Sequence, residues 1–184
     1  TALTLAWLCY ERTLKPEIEA KVMAEVDRLN GRLPTPDDLP NMRYTDWVIQ
    51  EVLRLYPPVY LTLREAEVDD QFSGLNIPAE TQLALNIRGI HRDPQHWDAP
   101  NTFWPERFAP ARSKRRHKFA FIPFITGPKK CIGDDFAMQE MTLNNPTILQ
   151  KLQLRYAANK PAKERASFVM ETAEPMLMTA KKRT

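Results

Sequence analysis

The stretch FITGPKKCIGDDF, residues 124–136, decides how this chain is read. It places Cys131, one of only two cysteines, in a loop behind a proline and two lysines. Only the thiolate form of cysteine ligates a metal. Lys129 and Lys130 raise the local positive potential. A helix is predicted from about Asp134, with its first N–H groups directed back at the sulfur. Gly133 lets the backbone approach closely. These features suit a metal-bound thiolate. They suit equally a small buried cysteine acting as a hydrophobe.

The rest of the chain narrows the choice of metal. The histidines are His91, His96 and His117. His91 and His96 lie five apart with Pro94 between them, which is not the helical zinc spacing. No Cys-x-x-Cys occurs, so a zinc site is not indicated. One thiolate still holds a metal where a cofactor supplies most of the coordination, and cysteine-ligated haem iron is that case.

Working outward, 184 residues correspond to one domain. The net charge of +3 is too mild to demand a nucleic-acid partner. A hydrophobic share of 43% builds a real core. The 16 prolines against 5 glycines read as rigid irregular connections rather than flexible linkers. With no disulfide framework, a reducing compartment is the default. The apolar run Leu3 to Tyr10 is far shorter than the ~20 residues of a membrane span. The chain opens inside this helical run, which reads as a cut in mid-helix.

A helix is predicted to about residue 14, ended by Lys15-Pro16. Pro16 opens a second helix running to about Leu29, with Ile18, Val22, Val26 and Leu29 on one face and Asn30-Gly31 ending it. A third follows in YTDWVIQEVLRLYPP, residues 44–58, capped by Thr45 or Asp46 and stopped by Pro57-Pro58. Short β segments with turns at Ser73-Gly74 and Pro78-Ala79 are expected next. Proline-punctuated coil leads to the cysteine loop, then a helix, then a tail of short strands. No repeat, low-complexity segment or domain-splitting linker is present.

Three further motifs stand out. Glu51 and Arg54 in EVLR are helical neighbours at i,i+3; such pairs are common on surfaces. Arg107 in FWPERF, residues 103–108, is suited to a bidentate contact with a carboxylate. HRDP, residues 91–94, matches the opening of a protein-kinase catalytic loop. However, Asp98 stands where the kinase asparagine belongs, and no glycine-rich loop or Asp-Phe-Gly occurs.

Glu51/Arg54, then Pro105-Glu106-Arg107-Phe108, then Phe124, Gly127, Lys129, Cys131 and Gly133 together resemble the signature of the cytochrome P-450 haem-thiolate monooxygenases. The likeness spans nearly all of the chain and corresponds to the C-terminal half of the family's length. It implies a mainly α fold with small β-sheets (α+β), starting inside the long central helix, with residues 1–184 forming part of one domain. It implies that Cys131 is the axial ligand of haem b, that Phe124, Gly127, Ile132 and Gly133 shape the haem loop, and that Arg64 and Lys129 contact the propionates. Glu51, Arg54 and Arg107 become a buried structural cluster. Val59, Tyr60, Leu61, Thr62, Met176 and Leu177 become candidates for the substrate pocket. The family's oxygen-activating acid–alcohol pair would fall upstream of Thr1, so no catalytic residue is assigned.

The resemblance further implies oxygen insertion into a small lipophilic organic substrate. Electrons would come from an external NAD(P)H-dependent ferredoxin or flavoprotein reductase. The basic residues Arg112, Lys114, Arg115, Arg116 and Lys118 are candidates for the docking face. The expected location is cytoplasmic, or the cytoplasmic face of a membrane if an upstream segment carries an anchor. Two competing readings are a truncated or degenerate fragment without enzymatic activity, and a small basic nucleic-acid module. The second is disfavoured because aromatics are not interleaved with the charges.

Three positions depart from the family pattern. Ile125 stands where a small or polar residue is usual, and Thr126 where glycine is frequent, so the turn before Cys131 is expected to be strained or loose. Pro146 falls inside the helix after the cysteine. The helix is therefore expected either to end near Thr142 and restart at Pro146, or to belong to a degraded copy.

Overall fold

A computed structural model describes residues 1–183. Its helices are α1 (Ala2–Leu14), α2 (Pro16–Asp27), α3 (Arg43–Leu55), the single turns α4 (Ile87–Ile90) and α5 (Pro110–Ser113), and α6 (Asp134–Lys151). The strands form four separate antiparallel pairs. β1 (Thr62–Glu65) pairs with β4 (Gln82–Leu85), and β2 (Asp70–Phe72) with β3 (Leu75–Ile77). β5 (Leu152–Tyr156) pairs with β8 (Met178–Lys182), and β6 (Glu164–Ala166) with β7 (Met170–Thr172). This is the mixed architecture expected: helices carry the core and the sheets are small.

The helix boundaries follow from local chemistry. Lys15-Pro16 separates α1 from α2, and Pro16 occupies the first turn of α2, where a missing N–H is harmless. Asn30 and Gly31, both at positive φ, turn the chain after α2. Ser73 and Gly74, at φ of 50° and 80°, make the β2–β3 hairpin turn. The Thr35–Asp38 capping box holds the 3-10 turn Pro36–Asn41.

α3 is the hub. Val48, Ile49, Val52, Leu53 and Leu55 are all buried and meet Trp7 and Leu8 of α1, Ile18, Val22 and Val26 of α2, and Met141 and Leu149 of α6. Full burial of each such side chain contributes roughly 1.5–3 kcal/mol before conformational entropy is counted. A smaller cluster of Trp97, Phe108 and Ala120 lies beside it, with Trp47 and Phe121 touching both. The cysteine loop is thereby seated against a rigid core.

Two helix expectations are corrected. α3 begins at Arg43, so Thr45 and Asp46 lie within its first turn and neither caps it. The cap comes from another helix. The buried carboxylate of Glu25 accepts N–H from Tyr44 at 2.7 Å and from Thr45 at 2.9 Å, and the Thr45 hydroxyl at 2.7 Å. α6 runs unbroken through Pro146. Met141, Asn145, Pro146 and Leu149 are buried along one face, and that packing outweighs the lost hydrogen bond. Thr142 and Thr147 turn their hydroxyls onto the carbonyls four residues back, at 2.8 Å each.

Among the described residues no helix is long and apolar enough to cross a membrane.

Candidate haem-thiolate site

At the heart of the site is one carboxylate shared by two guanidiniums. Glu51 and Arg54 are both fully buried, and Arg107 nearly so. Arg54 donates Nε to Glu51 Oε2 and Nη2 to Oε1, both at 2.8 Å. Arg107 donates Nε to the same Oε1 at 3.0 Å. The backbone N–H of Trp104 donates to Oε1 as well, at 2.8 Å. The remaining guanidinium donors reach carbonyls: Arg54 those of His91, Pro100 and Thr102, Arg107 those of Asp98, Ala99 and Thr102. A buried ion pair is tolerable only when satisfied in this way. Burial lowers the Arg107 pKa, and Glu51 opposes that shift. Through these carbonyls the cluster pins the irregular segment 91–107 onto α3. The isolated surface pair, the alternative for Glu51 and Arg54, is thus excluded.

Arg116 belongs to this cluster rather than to the solvent-facing basic run. Its guanidinium lies 4.1 Å from the Trp97 ring centre and 4.8 Å from that of Phe108, and donates to the Arg107 carbonyl at 2.6 Å. Burial, followed by the nearby charge of Arg107, lowers its pKa to about 10. Arg112 stacks over Trp104 at 4.7 Å but remains exposed, as do Lys114, Arg115 and Lys118.

The cysteine loop leaves the core at Phe124, whose ring packs against the main cluster. The chain then turns through Ile125 at φ 61° and Gly127 at φ 75°. Gly127–Lys129 forms a single 3-10 turn. The Cys131 N–H donates to the Phe124 carbonyl at 3.0 Å and closes the loop. Thr126 is extended and unstrained, so the strain expected here falls on Ile125 alone. Left-handed backbone is costly for a β-branched residue.

Cys131 is exposed, which removes the reading as a buried hydrophobe. α6 starts three residues later with Asp134 and Asp135 in its first turn. The two lysines are not equivalent. Lys130 is paired with Asp134, which raises the Lys130 pKa and lowers that of Asp134. Lys129 remains exposed in the loop. A Cβ added to Gly133 would stand 4.0 Å from the Cys131 sulfur, the distance of ordinary contact. Ile132 is 103% exposed and Phe136 73%, so the residue after the cysteine and the first turn of α6 each present an apolar side chain to solvent.

This donor set fits a haem. Among the described residues no group of three or more His, Cys, Asp or Glu side chains converges to hold a metal ion. Cysteine-ligated haem, whose porphyrin supplies most of the coordination, suits such a thiol, and its apolar faces suit the exposed Ile132 and Phe136. Arg64, on β1, is half-buried and donates to Thr62 Oγ1 at 3.2 Å and the Leu63 carbonyl at 2.7 Å.

The six pocket candidates are not gathered into one cavity. Tyr60 lines a cleft of about 700 Å³ with Trp7, Tyr56, Arg92 and Met170, and its hydroxyl donates to the Ser167 carbonyl at 2.9 Å. Leu177 lines a different cleft of about 230 Å³, beside Tyr156 and Pro161. Met176 packs against the main core. Val59 and Leu61 are exposed, and Thr62 is half-buried. Two structurally important residues carry no sequence signal of their role. Glu25 reads as one more acid on an amphipathic helix, and His91 sits in the kinase-like HRDP.

A sequence model of the cytochrome P450 family matches residues 1–179. Over 84% of its length the chain is 39% identical to a cyclooctat-9-en-7-ol 5-monooxygenase of Streptomyces melanosporofaciens. Over 91% it is 38% identical to cytochrome P450 4c21 of Blattella germanica. Over 82% it is 35% identical to a thromboxane-A synthase of Sus scrofa. These alignments cover 34%, 33% and 29% of the relatives, so the chain spans about a third of their length. The chain belongs to the cytochrome P450 family, whose members are haem-thiolate proteins.

Proposed function

We propose that this chain is the haem-ligand-bearing part of a monooxygenase that inserts one atom of dioxygen into a small lipophilic organic substrate. The observation that carries this reading is the presentation of Cys131. Its thiol is exposed at the end of a loop closed by the Cys131–Phe124 hydrogen bond, and Ile132 and Phe136, which follow in sequence, are exposed as well.

In this reading Cys131 would be the iron ligand, Ile132 and Phe136 would offer apolar contact to the haem, and Phe124, Gly127 and Gly133 fix the loop's path. Lys129 is the free cation for one propionate, while Arg64 reaches another by giving up its contacts with Thr62 and Leu63. Thiolate-ligated haem b supplies dioxygen activation when electrons arrive. The chain's own part is to present the sulfur at a fixed place at the end of the closed loop. Glu51, Arg54 and Arg107 serve this by holding the segments on which the loop rests. Val59 to Thr62 border the substrate side, whereas Leu177 lines a separate cleft and Met176 packs against the core, so those two are not assigned to it.

An external NAD(P)H-dependent ferredoxin or flavoprotein reductase docks through Arg112, Lys114, Arg115 and Lys118. Arg116 contributes by holding the backbone beneath them rather than by direct contact. The deciding experiment is the ferrous–CO difference spectrum of the full-length protein. A thiolate-type Soret band, lost in Cys131→Ser, is the expected result. A full-length, haem-loaded protein without that band would sink the reading.

A further inference from the structure

His91 opens HRDP, the motif left without a role above. Its imidazole is fully buried. The main chain and side chain of this residue hold two different things. Its carbonyl accepts Arg54 Nη1 at 2.9 Å, joining it to the Glu51 cluster. Its Nε2 accepts the backbone N–H of Ile122 at 2.9 Å. The ring is clamped against Phe121, with centroids 5.2 Å apart. Beyond Ile122 the loop is tied in sequence. The Ile122 carbonyl accepts from Ile125 N–H at 3.0 Å, and the Phe124 carbonyl from Cys131 N–H at 3.0 Å.

We propose that His91 is a positioning residue for Cys131, the link that fixes the cysteine loop to the buried Glu51–Arg54–Arg107 cluster. Its consequence at the sulfur rests on the haem-thiolate reading; the hydrogen bond itself does not. Ile122 is buried in a segment with no secondary structure, so its N–H needs an acceptor from elsewhere. A neutral imidazole with its proton on Nδ1 offers that acceptor on a stiff ring. Imidazolium would set N–H against N–H. Burial is the main influence keeping the ring neutral, reinforced by the positive charges of Arg54 and Arg92, and Nδ1 is buried with no hydrogen-bond partner among the described residues. The bond sits three residues before Ile125, whose left-handed backbone persists only where its surroundings hold it. Releasing Ile122 frees the turn that places Cys131.

The test uses the full-length, haem-loaded protein and three variants. His91→Leu fills the volume without an acceptor, and His91→Gln restores one. Val26→Ala destabilises the same core far from the loop. The readout is the rate at which the thiolate-type ferrous–CO band gives way to the non-thiolate type, compared at matched global stability. A lost buried acceptor predicts about tenfold faster conversion in His91→Leu than in Val26→Ala. His91→Gln should recover most of the difference. Equal rates for His91→Leu and Val26→Ala overturn the proposal, as does a glutamine variant no better than leucine. Should His91→Leu fail to fold, amide hydrogen exchange of the unmodified protein decides. Ile122 should exchange at least about a hundredfold more slowly than exposed Thr126, and equal exchange overturns the link. A wild-type protein lacking the thiolate band would sink the haem reading instead, leaving Ile122 exchange to judge the hydrogen bond separately.

Discussion

Glu51 Oε1 accepts Arg107 Nε at 3.0 Å across 56 positions of sequence, so α3 and the 3-10 turn Pro105–Phe108 are joined by one buried oxygen. Removing one partner leaves the other charge buried and uncompensated. Arg107→Ala or Glu51→Ala should therefore destabilise the full-length protein by about 3–5 kcal/mol, read as a lower urea midpoint. The double variant should lose clearly less than the sum of the two, because the second substitution removes the orphan created by the first. Additive losses would show that the pair is not coupled.

Much of this cluster was legible beforehand, because Glu-x-x-Arg and Pro-Glu-Arg-Phe name their own residues and a helix brings i and i+3 together. Burial was not legible, since a surface pair has the same spacing. Arg116 looked like one more member of a basic run, and only the tryptophan beneath it reveals a core residue. The α3 cap was misplaced because its oxygen belongs to Glu25, 19 residues earlier, and a pattern confined to the helix start cannot see it. At Pro146 local helix propensity leaves open a break with a restart or a degraded copy, whereas buried Met141 and Leu149 hold the helix through tertiary packing. The main helices, the Ser73-Gly74 turn and the presence of short strands followed from proline, glycine and apolar spacing, whereas the strand pairings did not. The pocket residues did not converge, because short β segments carry no signal of which cleft they border.

Ile125 at φ 61° gives a second expectation. Both Ile125→Ala and Ile125→Gly delete the side chain, but only glycine relieves the left-handed backbone. The glycine variant should be more stable than the alanine variant by about 1 kcal/mol in thermal or urea unfolding. An alanine variant as stable as the glycine one would mean that Ile125 is not held left-handed in solution.

His91 makes stability depend on pH in a defined direction. Its folded pKa is lowered from 6.5 to about 4, chiefly by burial. Between these values the unfolded chain binds the proton and the folded chain does not, so acid favours unfolding. Stability should be independent of this group above about pH 6.5, decline as pH falls through that window, and level off below about pH 4. The full effect is on the order of 3 kcal/mol. His91→Gln should flatten this portion of the profile, and an unchanged slope in that variant would assign the effect to another group.

Glu25 supplies the last expectation. Its carboxylate serves three donors at the start of α3: the N–H groups of Tyr44 and Thr45 and the Thr45 hydroxyl. Two of the four orphan N–H groups of that helix are thus satisfied by α2, and the charge complements the helix dipole. Glu25→Ala strands these buried donors and should cost about 2–3 kcal/mol. Glu25→Gln retains one acceptor oxygen and should lose roughly half as much. Amide exchange at Tyr44 and Thr45 should accelerate in Glu25→Ala beyond the change in global stability, since the fault lies at the helix start. Exchange that rises only with global unfolding would show that Glu25 acts through packing rather than as a cap.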